Sequence, residues 1–311
     1  MLILVILLQI ILIPLLSPLG IGITRKIKAK LQNRQGAAVT QPYKDLWKLF
    51  HKDEVLSVDA SWIFRLTPFF VFTVSIVAGA SIPIFFSLPY TVIPGDMLVI
   101  IYTLGIGTFF TALAGMDTGS PFGGFGSSRE ITTSALAEGG LLFSLLTLAL
   151  IGGSTDLFCI ANAIGAAYTP LILPILLAFS GFFIVLLCET KRYPFDNPST
   201  HLELTMIHEA MILEYSGKRL ALMEWAAANK LLIFVSLGAN LFFPWGIARS
   251  IDGAAIFFGL LFFILKAVLF YVSIAAIESG MAKFRFFRLP DLLMVAFILN
   301  VIAIGMVRFK P

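Results

Sequence analysis

The chain has 311 residues, of which 59% are hydrophobic and only 13% charged, with a mean hydropathy of +0.95. Those values exclude a water-soluble domain and point to a polytopic membrane protein. The formal net charge of +4 follows from the basic loops described below, so it gives no reason to expect a nucleic-acid partner.

Thirty Phe, nine Met and 25 Gly suit helices that pack against lipid and against one another. A barrel would show short alternating segments instead, so the expected class is all-α. Crossing about 30 Å of hydrocarbon takes roughly 20 apolar residues, and about eight stretches qualify, near 2–24, 66–88, 97–116, 131–152, 170–190, 228–248, 253–278 and 291–308. The first, "MLILVILLQIILIPLLSPLG", has no basic residue before its apolar run and no A-x-A-like site, so it reads as a retained span. After it, "TRKIKAKLQNRQG" is strongly basic. "QPYKDLWKLFHKDEVL" then sets Tyr43, Leu46, Trp47 and Phe50 against charged residues at helical spacing, the pattern of an amphipathic interfacial helix.

Between the third and fourth spans, "GMDTGSPFGGFGSSRE" (115–130) is glycine-rich but lacks the Lys-Ser/Thr of a phosphate loop, and it reads as a loop holding Asp117, Arg129 and Glu130 at the membrane face. After the fifth span, "CETKRYPFDNPSTHLELTMIHEA" (188–210) crowds titratable groups together. Thr200-x-x-Glu203 has the form of a capping box. Ile212 stands where a zinc-protease helix would need its second histidine, so no metal site is expected. Cys159 and Cys188 form no CxxC pair.

Of the 22 Lys and Arg, 18 fall on the side holding 25–65, 117–130, 191–230 and 279–290. The positive-inside rule places those segments in the cytoplasm and both termini outside. No long linker or repeat interrupts the chain, which reads as a single integral membrane domain over 1–311. Charges inside the spans call for a reason, since each costs about 2.5–3.5 kcal/mol near the bilayer centre even on a mild scale. They are Glu138 and Lys266, with Glu130, Glu189 and Glu278 at span ends. Glu130 and Glu138 share roughly one helix face about 12 Å apart, a spacing suited to a relay. Lys266 and Glu278 are too far apart to pair and need partners from other spans.

"KLQNRQG", "FRLTPFF", "PFD" at 194–196 and "EYSG" at 214–217 occur in an order that resembles the membrane subunit of respiratory complex I at the quinone chamber. "GMDTGSPFGGFGSSRE", "FPWG" at 243–246, Lys266 and "AIESGMAKFRF" at 276–286 look more like the relative of that subunit in energy-converting nickel–iron hydrogenases of the formate hydrogenlyase type. The resemblance implies a coupling subunit in the inner membrane of a prokaryote, with no cofactor of its own. A nickel–iron centre and iron–sulfur clusters would lie in partner subunits. The implied partners are a hydrogenase-like large subunit, an iron–sulfur small subunit, antiporter-like membrane subunits and the lipid bilayer.

It further implies that Glu138, Glu189, Asp196, Glu203 and Glu214 line an acid path linking redox events to movement of protons or sodium ions. Glu130, Lys266 and Glu278 join them as candidates, with Glu138 and Lys266 passing the change inward. Arg25, Lys26, Arg34, Asp117, Arg129 and Arg192 are candidates for docking the soluble arm. Ser199 and His201 stand where complex I carries further acids, and Thr24 stands where it usually has a glutamate. Those departures weaken the expectation of quinone binding. Two alternatives remain: the quinone-chamber subunit of a complex I-type NADH:quinone oxidoreductase, and a non-catalytic membrane anchor.

Overall fold

The structure is a computed structural model describing residues 2–57, 59–87, 95–167, 171–196, 206–250 and 252–308. Its elements are the helices α1 (Leu2–Leu31), α2 (Gln41–Phe50), α3 (Trp62–Ala80), α4 (Met97–Asp117), α5 (Pro121–Gly152), α6 (Leu157–Ala167), α7 (Ile172–Glu189), α8 (His208–Ile212), α9 (Gly217–Leu237), α10 (Gly253–Gly280) and α11 (Leu289–Arg308). A π-helical turn, Gly238–Phe242, prolongs α9. Eight helices are long and apolar enough to cross a membrane. Among the described residues, extended pairing is limited to two isolated bridges, Phe86 with Ala248 and Asp96 with Asp156. The all-α polytopic class expected from composition is the class observed.

Prolines inside α1 and α3 shape how these helices are held. Pro18 and Pro68 lack an N–H, so the carbonyls four residues earlier, at Pro14 and Phe64, lose their helical donors. In a bilayer such carbonyls need another partner. The Trp225 indole of α9 donates to the Pro14 carbonyl at 2.8 Å, and the Tyr215 hydroxyl donates to the Phe64 carbonyl at 2.9 Å. The Tyr215 ring also stacks on Phe64 with centroids 3.9 Å apart. Each helix is thereby tied to the segment around α9.

Three boundaries differ from expectation. The glycine-rich segment is not a loop from residue 121 onward, because Pro121 starts α5. A Cβ at Gly123 would overlap the Gly115 carbonyl oxygen of α4, and one at Gly126 would press on the Ile207 carbonyl beside α8. These glycines permit close helix approach rather than flexibility. The sixth span runs over Gly217–Phe242 rather than 228–248. Pro244 disfavours helix at Phe243, while α9 already begins at Gly217 and carries Lys218, Arg219 and Glu224, the charged residues ahead of the expected start. The stretch 153–169, expected as an outer loop, contains α6.

The amphipathic helix α2 is present, with Pro42 and Leu46 buried and Trp47 exposed. The main core joins the aromatic faces of α7, α9 and α10, where Phe182 and Phe242 lie 5.0 Å apart and Phe179 and Phe270 5.8 Å apart. Tyr215→Phe is expected to lower stability by about 1 kcal/mol. The loss should shrink in a Pro68→Ala background, where the backbone donor returns; thermal unfolding of the four variants in detergent measures the cycle.

Candidate functional site

The fold brings most of the candidate acids to one cavity of about 470 Å³, bounded by α1 through α5, α8, α9, α10 and the turn after α7. Its exposed rim includes Arg25, Arg34 and Ala37 at the end of α1 and the connection to α2. Glu130, Glu189, Asp196 and Glu278 line it, and all four are buried. A buried carboxylate persists as a charge only with a partner, and each acid has one from a different part of the chain.

Lys191 meets Glu130 at 2.7 Å, and Lys230 of α9 meets Glu189 at 2.7 Å. Lys230 also donates to the Thr108 hydroxyl at 2.9 Å. Glu278 of α10 is shared, one oxygen with Lys28 of α1 and the other with Arg192, both at 3.2 Å. Asp196 takes Lys283 on one oxygen at 2.6 Å, while the backbone N–H groups of Ile207 and His208 donate to the other at 3.1 and 3.2 Å. Lys191 and Arg192 follow Glu189 closely in sequence, yet neither forms an ion pair with it. The turn reverses instead, with Lys191 in the left-handed region at φ 54°, and it delivers the two cations to Glu130 and Glu278.

Burial alone would lower the Lys191 pKa. The Glu130 carboxylate outweighs it, with help from Cys188 and Glu189, and holds the ammonium above its ordinary value. Tyr193 is also raised, by burial and then by Glu278 and Asp196, so its phenol stays protonated at neutral pH.

Glu138 lies on α5, half-buried and outside the cavity lining, within electrostatic reach of Glu189 and Lys230. Its carboxylate occupies the notch left by Gly105 of α4, where a Cβ would come within 2.8 Å of Oε1. Lys266 is not brought to Glu138: its ammonium donates to the Asn240 side-chain oxygen at 2.6 Å and to the Phe243 and Trp245 carbonyls at 3.1 Å each. Glu214 is exposed after α8. Glu203, with the capping box at Thr200, lies outside the described residues.

Of the docking candidates, Arg25, Lys26 and Arg34 are exposed. Asp117 accepts the N–H groups of Ser61 and Phe64 at the start of α3, Arg129 donates to the Met206 carbonyl, and Arg192 is buried on Glu278. The cations Lys28, Lys230 and Lys283 escaped the sequence reading. Only Lys230 carried a signal there, as a lysine close to an apolar run. Among the described residues, no group of three or more His, Cys, Asp or Glu side chains could hold a metal ion.

Lys191→Met would strand Glu130 and is expected to destabilise the protein by about 3–5 kcal/mol. Adding Glu130→Gln should recover most of that loss, measured by thermal unfolding in detergent. A raised folded-state pKa means that the contribution of Lys191 is complete below its ordinary value and fades only as pH climbs through the raised one. The deficit should therefore be constant across the neutral range and shrink in strong alkali.

A family model described as NADH dehydrogenase matches residues 2–308. Hydrogenase-4 component C of Escherichia coli K12 is 35% identical over 296 residues, covering 95% of this chain and 92% of its own. Formate hydrogenlyase subunit 4 of the same organism is 32% identical, covering 86% and 87%. An NADH-quinone oxidoreductase subunit of Erythrobacter litoralis is 27% identical, covering 88% and 81%. A chain in the structure of the membrane-bound sulfane sulfur reductase, an archaeal respiratory membrane complex, has the same fold, with a TM-score of 0.80 at 22% identity over 97% of this chain and 98% of that one. The chain belongs to the NADH dehydrogenase family of membrane subunits.

Proposed function

We propose that this chain is the membrane coupling subunit of a hydrogenase-like complex of the formate hydrogenlyase type, linking electron transfer in a cytoplasmic arm to translocation of protons or sodium ions. The observation that carries this reading is the set of linked buried ion pairs, Asp196–Lys283, Glu278–Arg192, Glu130–Lys191 and Glu189–Lys230, which leads from the turn after α7 to the neighbourhood of Glu138. Similarity to hydrogenase-4 component C and formate hydrogenlyase subunit 4 supports the kind of complex. The nickel–iron centre and iron–sulfur clusters then belong to partner subunits, and antiporter-like subunits are the membrane neighbours.

The energetics are adequate. Moving one charge against 100 mV takes about 2.3 kcal/mol, and breaking one buried pair costs about 3–5 kcal/mol. A shift of the Asp196 turn that disturbs Arg192 on Glu278 is therefore large enough to drive exchange of partners along the chain. Lys191 and Arg192 are consecutive, so neither moves without the other, and Glu130 and Glu278 feel the same displacement. Lys230 stands between Glu189 and Thr108 and can return a proton or a field change to Glu138.

A second reading, a quinone chamber, is favoured by the cavity itself, whose volume lies in the range of small-molecule sites and whose rim adjoins α2. Its many charged lining groups suit ion pairs better than an apolar ring. Reduction of an added quinone by the purified complex, blocked by a quinone-site inhibitor, would favour this second reading.

Glu138→Gln preserves shape and removes the titratable proton. In complex reconstituted into vesicles, it is expected to leave assembly intact and cut ions moved per electron by at least severalfold; an unchanged ratio rejects the coupling role. The orientation proposed from loop charge puts 25–65 and 191–227 in the cytoplasm. Single cysteines at Lys44 and Lys218 should then resist a membrane-impermeant maleimide in intact cells and react after permeabilisation.

A further inference from the structure

Asn300 sits in the middle of α11 with no exposed surface. Its amide Nδ2 donates to the Gly140 carbonyl of α5 at 2.8 Å. That donor fixes the orientation of the amide, and Oδ1 then faces Gly181 of α7, where a Cβ would overlap it. Oδ1 has no hydrogen-bond partner among the described residues. One side chain therefore bridges the helix carrying Glu130 and Glu138 and the helix carrying Glu189, at a level two residues from Glu138 on α5.

A leucine, branched at the same carbon, would bury apolar surface there and leave no acceptor unmatched. The amide is thus a poor choice for stability alone. What it touches is a weak point of α5: Gly139 and Gly140 follow Glu138 directly, glycine is a poor helix former, and a Cβ at Gly139 would meet nothing within 4 Å, although Gly140 itself packs closely on Val185 of α7. A backbone free to shift at that pair would carry Glu138 with it.

We propose that Asn300 is a positioning residue for Glu138, pinning α5 at Gly140 so that the carboxylate stays in the Gly105 notch within reach of Glu189 and Lys230. The inference rests on the coupling reading above. The charged groups that act on Glu138 are Glu189 on α7 and Lys230 on α9, while Glu130, about two turns away on its own helix, is met by Lys191 and lies near His208 of α8. Between Tyr102 and Asp117, α4 carries no titratable side chain, and α11 carries none between Asp291 and Arg308.

The test uses the whole complex in vesicles, with ion uptake per electron followed against pH for Asn300→Ala, Asn300→Leu, Glu138→Gln and the doubles. Expected are assembled Asn300 variants whose ratio falls at least twofold and whose pH midpoint moves, with no further change when either is added to Glu138→Gln. Failure of both Asn300 variants to assemble, or assembly with the native ratio and midpoint, overturns the proposal, because the amide would then serve packing alone. A normal ratio in Glu138→Gln would instead reject the coupling reading. A low ratio there, beside native behaviour in the Asn300 variants, rejects this inference and leaves that reading standing.

Discussion

A carboxylate taken out of water must find a cation or give up its charge, and the part of this protein that holds the cavity is arranged around that requirement. Glu278 on α10 is met by Lys28 from α1 and by Arg192 from the turn after α7. Glu189 at the end of α7 is met by Lys230 from α9, and Glu130 on α5 by Lys191. Every pair joins elements distant in sequence, so the register of the helices is set by charge matching as well as by the phenylalanine packing around Phe182 and Phe242. Replacing buried pairs by apolar residues is often neutral or stabilising in other proteins. Their concentration here around one cavity therefore argues for a use beyond holding the fold.

The same requirement governs the backbone. Pro18 and Pro68 each free a carbonyl, and the protein answers with an indole and a phenol instead of water. Tyr215 lies between α8 and α9, just past the short helix of His208 and Glu209. The donors that compensate the prolines thus also anchor the segments that build the cavity. Stability and site geometry are consequently hard to vary separately in this region, and a substitution at Tyr215 or Trp225 acts on both.

Hydropathy made the eight spans and α2 legible, because the apolar content needed to cross a bilayer leaves a strong local signal. It misplaced the start of the sixth span, since Lys218, Arg219 and Glu224 make 217–227 look like a loop although α9 already begins at Gly217. The glycines of 121–130 read as a loop because sequence does not reveal a neighbouring backbone at van der Waals distance. Several acids of the site stood out as charges in apolar surroundings. Their counter-ions did not: Lys28 and Lys283 are ordinary members of basic loops until long-range contacts single them out.

Lys266 shows how an ammonium within a span can be met without a carboxylate. Its three hydrogen bonds go to neutral oxygens, and through Asn240, whose amide also donates to the Pro83 carbonyl at 2.8 Å, they tie α10 to the end of α9 and to the segment after α3. Glu138 lies elsewhere, on α5 in the Gly105 notch of α4 and within reach of Glu189 and Lys230, and among the described residues no hydrogen bond or ion pair links it to Lys266. Any coupling between Glu138 and Lys266 therefore has to pass through the helices that separate them and not through a direct pair.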